Sequence, residues 1–495
     1  MLKKQAAVIY LLIFAFLLAS CTVVMPDDDS SSDMPSADES VVSDTPADSS
    51  DGSSDDSSDD SQSQTPSEAE SEIDNSSETS SEASSEASSE TSSETSDEAG
   101  NIIQKPDPLR RDQLVTVYLT PEGEINKDEY VTCAIKIVDP TGRFDTVEDL
   151  AASIKVRGNS TSSGDKKPYN IKFSKKTDVL GMGECKKWYL LANMYDKSLL
   201  RNKLAYDFAS EAGLAYTQQS TFCEVYVNGR YVGNYQICES IGVGESRVDI
   251  DITKNEFLLE YEPWEGYSNP EWIKTPRYGI LFGFNDPEAP SAQQRTWLNS
   301  FFIGLERALA GGRRDKIAEY MDIDSFVNDY IVHEYFKNVD AQTSSTRYYI
   351  KDGRLFGGPV WDFDLSAGNA DRSYYRYYYD RQGNSYTGWW CRHLWYEYLF
   401  ETDWFEDEVK ARFAELQPVI VNLYQDNELG DNRIDCLLSE FGEGFDANYD
   451  GVWNVNRKDS DFECRPVGNH EACIKYLRDW LRERNNWMKR EWGID

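Results

Sequence analysis

Histidine is nearly missing from this 495-residue chain, which has three. The pair His333-Glu334 is followed by Lys337, where a zinc-protease helix needs a second histidine four residues on, so that chemistry is excluded. No Cys-x-x-Cys occurs, which removes a zinc knuckle. No Gly-x-Ser-x-Gly marks a hydrolase nucleophile. Gly181-Met-Gly183 lacks the third glycine of a phosphate-cradling Gly-x-Gly-x-x-Gly loop. Between Asp27 and Glu98 there is no lysine, no arginine and no aromatic residue, so this stretch cannot bury enough apolar surface to offset the entropy of ordering.

What stands before that stretch sets a compartment. Lys3 and Lys4 precede an apolar run from Ala6 to Leu18, too short to span a bilayer. Leu18-Ala19-Ser20 then leads to Cys21, a sequence similar to a bacterial lipobox. Residues 1–20 are expected to be a lipoprotein signal peptide. Cys21 is expected to carry the lipid that anchors the chain to the membrane, facing outward, since two or more acyl chains hold stably.

Residues 21–104 read as a disordered linker rich in Ser, Asp and Glu. Ser80-Ser81-Glu82-Ala83 begins a four-residue repeat that would stack Glu82, Glu86, Glu90 and Glu94 on one helix face, a repulsive arrangement. Like charges extend such a chain, which suits a spacer lifting the rest off a surface. Of the net charge of −38, the 24 acids of Asp27 to Glu98 account for most; setting them and the two signal lysines aside leaves −16. Basic residues are scattered through that remainder, so no nucleic-acid surface is expected.

Residues 105–495 are expected to fold as one large domain or two lobes. They hold all 13 Trp and nearly all the Tyr. Eight cysteines follow Cys21, an even number that permits disulfides in an exported protein and leaves the pairing open. The first part, about 105–265, reads mainly as strands. Leu114 to Leu119, Ile154 to Arg157 and Tyr169 to Phe173 alternate with period two, and Asn228-Gly229 between two apolar runs signals a type I′ hairpin. One helix interrupts it, from about Ser198 to Ala212, closed by Gly213. The second part, about 266–495, reads as helices near 296–310, 312–320, 324–337, 405–424 and 470–490, with a hairpin turning at Asp352-Gly353. The expected fold class is α+β, a strand-rich half followed by a helical half.

An ordered series of short motifs runs through this part. Arg157-Gly-Asn-Ser160 precedes Lys166-Lys167-Pro-Tyr169 and Ile171-Lys172-Phe173. Asn193, Asp196 and Leu200-Arg201-Asn202-Lys203 follow, then Asn228-Gly229, Gly233, Tyr235 and Glu239. Asn338-Val-Asp340 and Pro359-Val-Trp-Asp362-Phe-Asp364 come later, with Trp480, Arg484 and Trp487 in the closing helix. Over roughly 110–490 this series resembles the CotH family, the spore-coat atypical protein kinases. The resemblance implies a divergent protein-kinase-like two-lobe fold that binds ATP with Mg²⁺ (Mn²⁺ being the other candidate) and phosphorylates a protein substrate.

The residues suit that chemistry. Phosphoryl transfer needs cations near the phosphates, carboxylates for the metal and an orienter for the nucleophile. Asp362 and Asp364, two apart after a strand, are the expected metal ligands, on one face if the chain stays extended. Asp340, 22 residues earlier across the hairpin, has the spacing of a catalytic aspartate. Lys172 is the candidate phosphate lysine, with Glu211 on the intervening helix as its ion-pair partner and Glu239 as the rival. Arg157, Asn159 and Ser160 form a loop that could cover the phosphates. Asn193, Asn202, Asn228 and Gly229 read as turn or cap residues. The series departs from protein kinases in one place: Thr343 to Thr346 stands where a second metal-binding Asn belongs.

Two other functions stay open. Little ATP is met outside a cell, so the same fold serving another nucleotide-dependent transferase is one. A non-catalytic module for a cell-wall or plant polysaccharide is the other, using Trp389, Trp390, Trp395 and Tyr374 to Tyr379. Asp446 to Gly451 matches the first half of an EF-hand loop, but the twelfth position is Arg457 rather than a carboxylate, so an Asx-rich turn is expected.

Overall fold

The computed structural model describes residues 103–464 and 468–494. The expected signal peptide, Cys21 and nearly all of the expected linker lie outside the described residues.

Seven strands close into a barrel: β1 (Thr116–Pro121), β2 (Val131–Val138), β3 (Val147–Val156), β4 (Tyr169–Asp178), β5 (Glu184–Leu191), β6 (Ser220–Val227) and β7 (Arg230–Glu239). Their order is β1-β2-β3-β4-β5-β7-β6, and β6 lies parallel to β1 to shut the ring. Period-two patterning explains the interior. Val117 and Leu119, Cys133 and Ile135, and Ile171 and Phe173 point inward and are buried. Closure leaves no edge strand to pair with another chain. The β6–β7 turn has Asn228 at φ +50° and Gly229 at φ +75°, the left-handed pair a type I′ turn requires.

A second, five-stranded antiparallel sheet has the order β12-β11-β8-β10-β9, from β8 (Phe257–Tyr261), β9 (Trp272–Lys274), β10 (Leu281–Asp286), β11 (Arg347–Lys351) and β12 (Arg354–Gly357). It draws strands from both sides of residue 265, so the strand-rich and helical halves share one sheet. The α+β class and the strands-then-helices order match the expectation. The closed barrel does not follow from the local patterns, because its seam joins residues about a hundred positions apart.

The helices are α1 (Arg201–Glu211), α2 (Ala292–Gly311), α3 (Arg314–Ile317), α4 (Ile323–Phe336), α5 (Trp395–Leu399), α6 (Phe405–Glu415), α7 (Gln417–Asn422), α8 (Arg433–Tyr449) and α9 (His470–Trp492). α4 is buried on every side and runs through the larger core. It ends at Lys337, whose φ of +48° turns the chain sharply toward Asp340. The single helix expected over 405–424 is two, because Pro418 at the start of α7 lacks the N–H to continue α6. α8 was not expected. Asp446 to Tyr449 are its last turn, so the half EF-hand pattern forms no loop. Cys133, Cys185, Cys223, Cys238, Cys391, Cys436 and Cys464 are free thiols, five of them buried.

Candidate active site

Three acids converge although they come from two places in the chain. Asp340 sits in a short 3-10 turn, Val339–Gln342, just past α4. Asp362 and Asp364 follow β12. The strand does not stay extended there: Asp362 has φ +66°. The two nevertheless line one small cavity of about 40 Å³.

The acids act on one another's charge. Burial, then the Asp362 charge, pushes the Asp340 carboxyl well above the ordinary range. Burial also raises Asp362, partly offset by Arg157 and Arg347 and by a 3.2 Å hydrogen bond from the Ser345 hydroxyl. Asp364 is pushed well up by burial and then by four carboxylates, Asp362, Asp340, Asp196 and Glu463. Buried carboxylates facing one another bind either a proton or a cation. Among the described residues no three His, Cys, Asp or Glu side chains gather closely enough to hold a metal by themselves. Mg²⁺ is usually held by one or two carboxylates with substrate phosphates completing its shell. Asp362 and Asp364 fit that complement.

Two arginines flank the acids. Arg157 stacks over Tyr189 at 4.3 Å and Trp361 at 5.1 Å. Arg347 donates to Glu260 at 2.9 Å and to the Ser345 carbonyl at 3.2 Å. Both arginines and Trp361 also line a wider cavity of about 640 Å³, with Lys176, Lys186 and Lys187 on its wall. A room of that size beside the acids is large enough for a drug-sized ligand.

The other expected residues divide. Asn159 and Ser160 are exposed in the loop after Arg157, next to the small cavity's Thr161. Lys172 is exposed on the outer face of the barrel, cross-strand from Lys187, and lines neither cavity. The alternation that buries Ile171 and Phe173 turns Lys172 outward. Glu211 pairs with Arg433 on α8 rather than with Lys172. Glu239 is buried and pairs with Arg247 at 2.5 Å. Neither glutamate serves Lys172, so that triad does not assemble.

The sequence reading missed the polar frame. Asp196 binds Arg201, which donates to the Ser366 and Ala367 carbonyls behind Asp364. Asn202, read as a cap, accepts from the Phe363 N–H at 2.8 Å. Lys166, next to Lys167 in the quoted motif, is buried, donates to the Asn234 carbonyl at 2.5 Å and is pushed down to about 7 by burial and Lys197. An aromatic-rich segment packs inward: Tyr378 and Trp395 are buried, and Trp389 packs on Trp487 and Trp492.

The fold and site together define an α+β protein with an arginine-flanked acidic centre, whose Arg157 and Trp361 also line a wider cavity. The family described as CotH kinase protein matches residues 154–488, well over half of the sequence. The chain belongs to that family. No curated protein matches it.

Proposed function

We propose that the chain is an ATP-dependent phosphotransferase that uses Mg²⁺ or Mn²⁺ and modifies a hydroxyl of a protein substrate, displayed outside a bacterial cell by lipid on Cys21. The observation carrying this reading is that Asp362 and Asp364 line one small cavity with Arg157, while the Asn338 side chain ties the Asp340 turn to the Trp361 carbonyl beside Asp362. Kinase-like organisation belongs to the same proposal, since family membership supports it and the barrel neither requires nor forbids it.

The roles follow from the chemistry. Asp362 and Asp364 would hold the metal, which when bound supplies positive charge to the phosphate oxygens. Arg157 and Arg347 attract the phosphates and keep them off the carboxylates. Asp340, tied to the Asp362 arm through the Asn338 amide, orients the acceptor hydroxyl and takes its proton. The new oxygen–phosphorus bond forms as the bond from the γ-phosphorus to the departing ADP oxygen breaks. The polysaccharide reading has less support, because most of the aromatics it would use pack against other rings, Tyr377 alone of them being exposed.

Incubation of the full chain with acceptor proteins and ATP labelled at either the α- or the γ-phosphorus tests this. Label from the γ-position alone on Ser or Thr, lost in Asp340→Ala, is expected. Label from the α-position would make the chain a nucleotidyl transferase instead. No transfer with any metal would refute catalysis.

A further inference from the structure

Asp362 is held from both sides. Its φ of +66° is a left-handed backbone that a non-glycine residue keeps only when its surroundings impose it. The residue before it, Trp361, has its carbonyl met by the Asn338 side-chain amide at 3.4 Å. The residue after it, Phe363, gives its N–H to the Asn202 side-chain oxygen at 2.8 Å. Both asparagines are buried, so water does not readily replace either bond.

Asn338 also reaches the other acid. Its side-chain oxygen accepts from the Asp340 N–H at 3.1 Å. The same amide group therefore ties the Asp340 turn to the Asp362 arm. His333, one turn back on α4, fixes which way that amide points: its Nδ1 lies 3.3 Å from the Asn338 nitrogen, and its ring stacks on Phe363 at 5.2 Å. Asn202 is fixed from the barrel side. It donates to the Asn193 oxygen at 3.2 Å, Asn193 donates to Gln236 on β7 at 3.0 Å, and Gln236 donates to Ser220 on β6 at 2.8 Å. One asparagine thus belongs to the helical core and the other to a polar chain from the barrel. Asp362 sits where the two meet.

We propose that Asn338 and Asn202 are positioning residues that clamp Asp362 between them and hold it at a set place relative to Asp340, so that cation affinity at the acidic centre depends on both asparagines. This rests on the reading of Asp362 as a metal ligand. Residues that orient a ligand without touching the metal typically change affinity by about 10- to 100-fold.

The test uses the full chain, Mn²⁺ alone as the probe, and two readouts. Electron paramagnetic resonance of free Mn²⁺ gives the dissociation constant. Amide hydrogen exchange over 338–346 and 359–367, without any ligand, reports whether the two arms are held. Asn338→Ala and Asn202→Ala are each expected to weaken Mn²⁺ binding roughly tenfold and to speed exchange across 359–367, with a near-native unfolding midpoint. Asn338→Asp keeps an acceptor for the Asp340 N–H and loses the donor to Trp361; it is expected to weaken Mn²⁺ binding as the alanine does. It decides the matter if the alanine variants fail to fold. Folded variants with unchanged Mn²⁺ affinity and unchanged exchange would overturn the clamp. Wild-type protein that binds no Mn²⁺ would overturn the functional reading; in that case faster exchange in the variants still supports the clamp, and unchanged exchange overturns it too.

Discussion

Replacing Arg484 by methionine removes a cation from the protein interior, and the consequences can be followed bond by bond. Arg484 on α9 and Glu334 on α4 are both 0% exposed and meet at 2.5 Å. Arg484 also donates to the Tyr386 and Gly388 carbonyls, each at 2.9 Å. Glu334 in turn accepts from the Trp390 N–H at 2.8 Å and the Cys391 N–H at 2.7 Å. One ion pair therefore joins two helices to the segment between them. Breaking a buried pair from one side costs about 3–5 kcal/mol, because the remaining charge is left without its partner. Two stranded carbonyls add roughly 1–3 kcal/mol each. The sum, about 5–11 kcal/mol, is of the size of the whole stability of an ordinary domain. Urea unfolding of the full chain, followed by tryptophan fluorescence, should show a greatly lowered midpoint or no cooperative transition. Adding Glu334→Gln should recover part of the loss, since the uncompensated charge goes. An Arg484→Met variant within about 1 kcal/mol of the parent would refute the reasoning. Arg484 is one of the motif residues of the closing helix, and this explains its place there: it acts on the fold that carries α4 to Asp340.

Three further substitutions are informative. Burial pushes the Asp329 carboxyl up to about 7, against a 2.7 Å hydrogen bond from the Tyr396 hydroxyl that favours its charged form. Its folded value lies above its unfolded one, so it adds stability at low pH that is lost as pH rises through 4 to 7; Asp329→Asn should gain thermal stability over the parent by a few kcal/mol between pH 4 and pH 8, and a difference flat with pH would contradict this. Lys172→Ala should leave stability within about 0.5 kcal/mol and ATP affinity unchanged, while Arg157→Ala should weaken ATP binding at least about tenfold; calorimetry of both variants separates the two lysine and arginine roles.

Some of this was legible in the sequence and some was not, for identifiable reasons. Asp340, Asp362 and Asp364 were found because Asn338-Val-Asp340 and Pro359-Val-Trp-Asp362-Phe-Asp364 belong to the motif series, with 22 residues and a hairpin between Asp340 and Asp362. The argument that an extended chain puts Asp362 and Asp364 on one face was mistaken, since Asp362 is left-handed; the acids meet because tertiary contacts bend the arm. Lys172 was misjudged against its own pattern: flanking apolar residues that enter the barrel send the lysine to the outside. Glu211 was assigned without its real partner, because α8, which carries Arg433, was not seen. That helix contains Gly442 and Gly444 and runs out in Asp446-Ala-Asn-Tyr-Asp-Gly451, all of which argue locally for a loop. Gly444 is there because a Cβ would stand 2.7 Å from Leu114 and 2.8 Å from Asn234, a close approach of helix to barrel that only the fold reveals. The barrel seam between β1 and β6 and the asparagine pair around Asp362 are likewise long-range, and no local signal encodes them.

The most direct test of the central claim is a calorimetric titration of the full chain with ATP, with and without Mg²⁺ or Mn²⁺, beside Asp362→Ala. The account predicts binding that requires the metal and disappears in the variant while its unfolding midpoint holds. A folded wild-type protein that takes up no ATP with either metal, or a variant that binds as well as the parent, would contradict it.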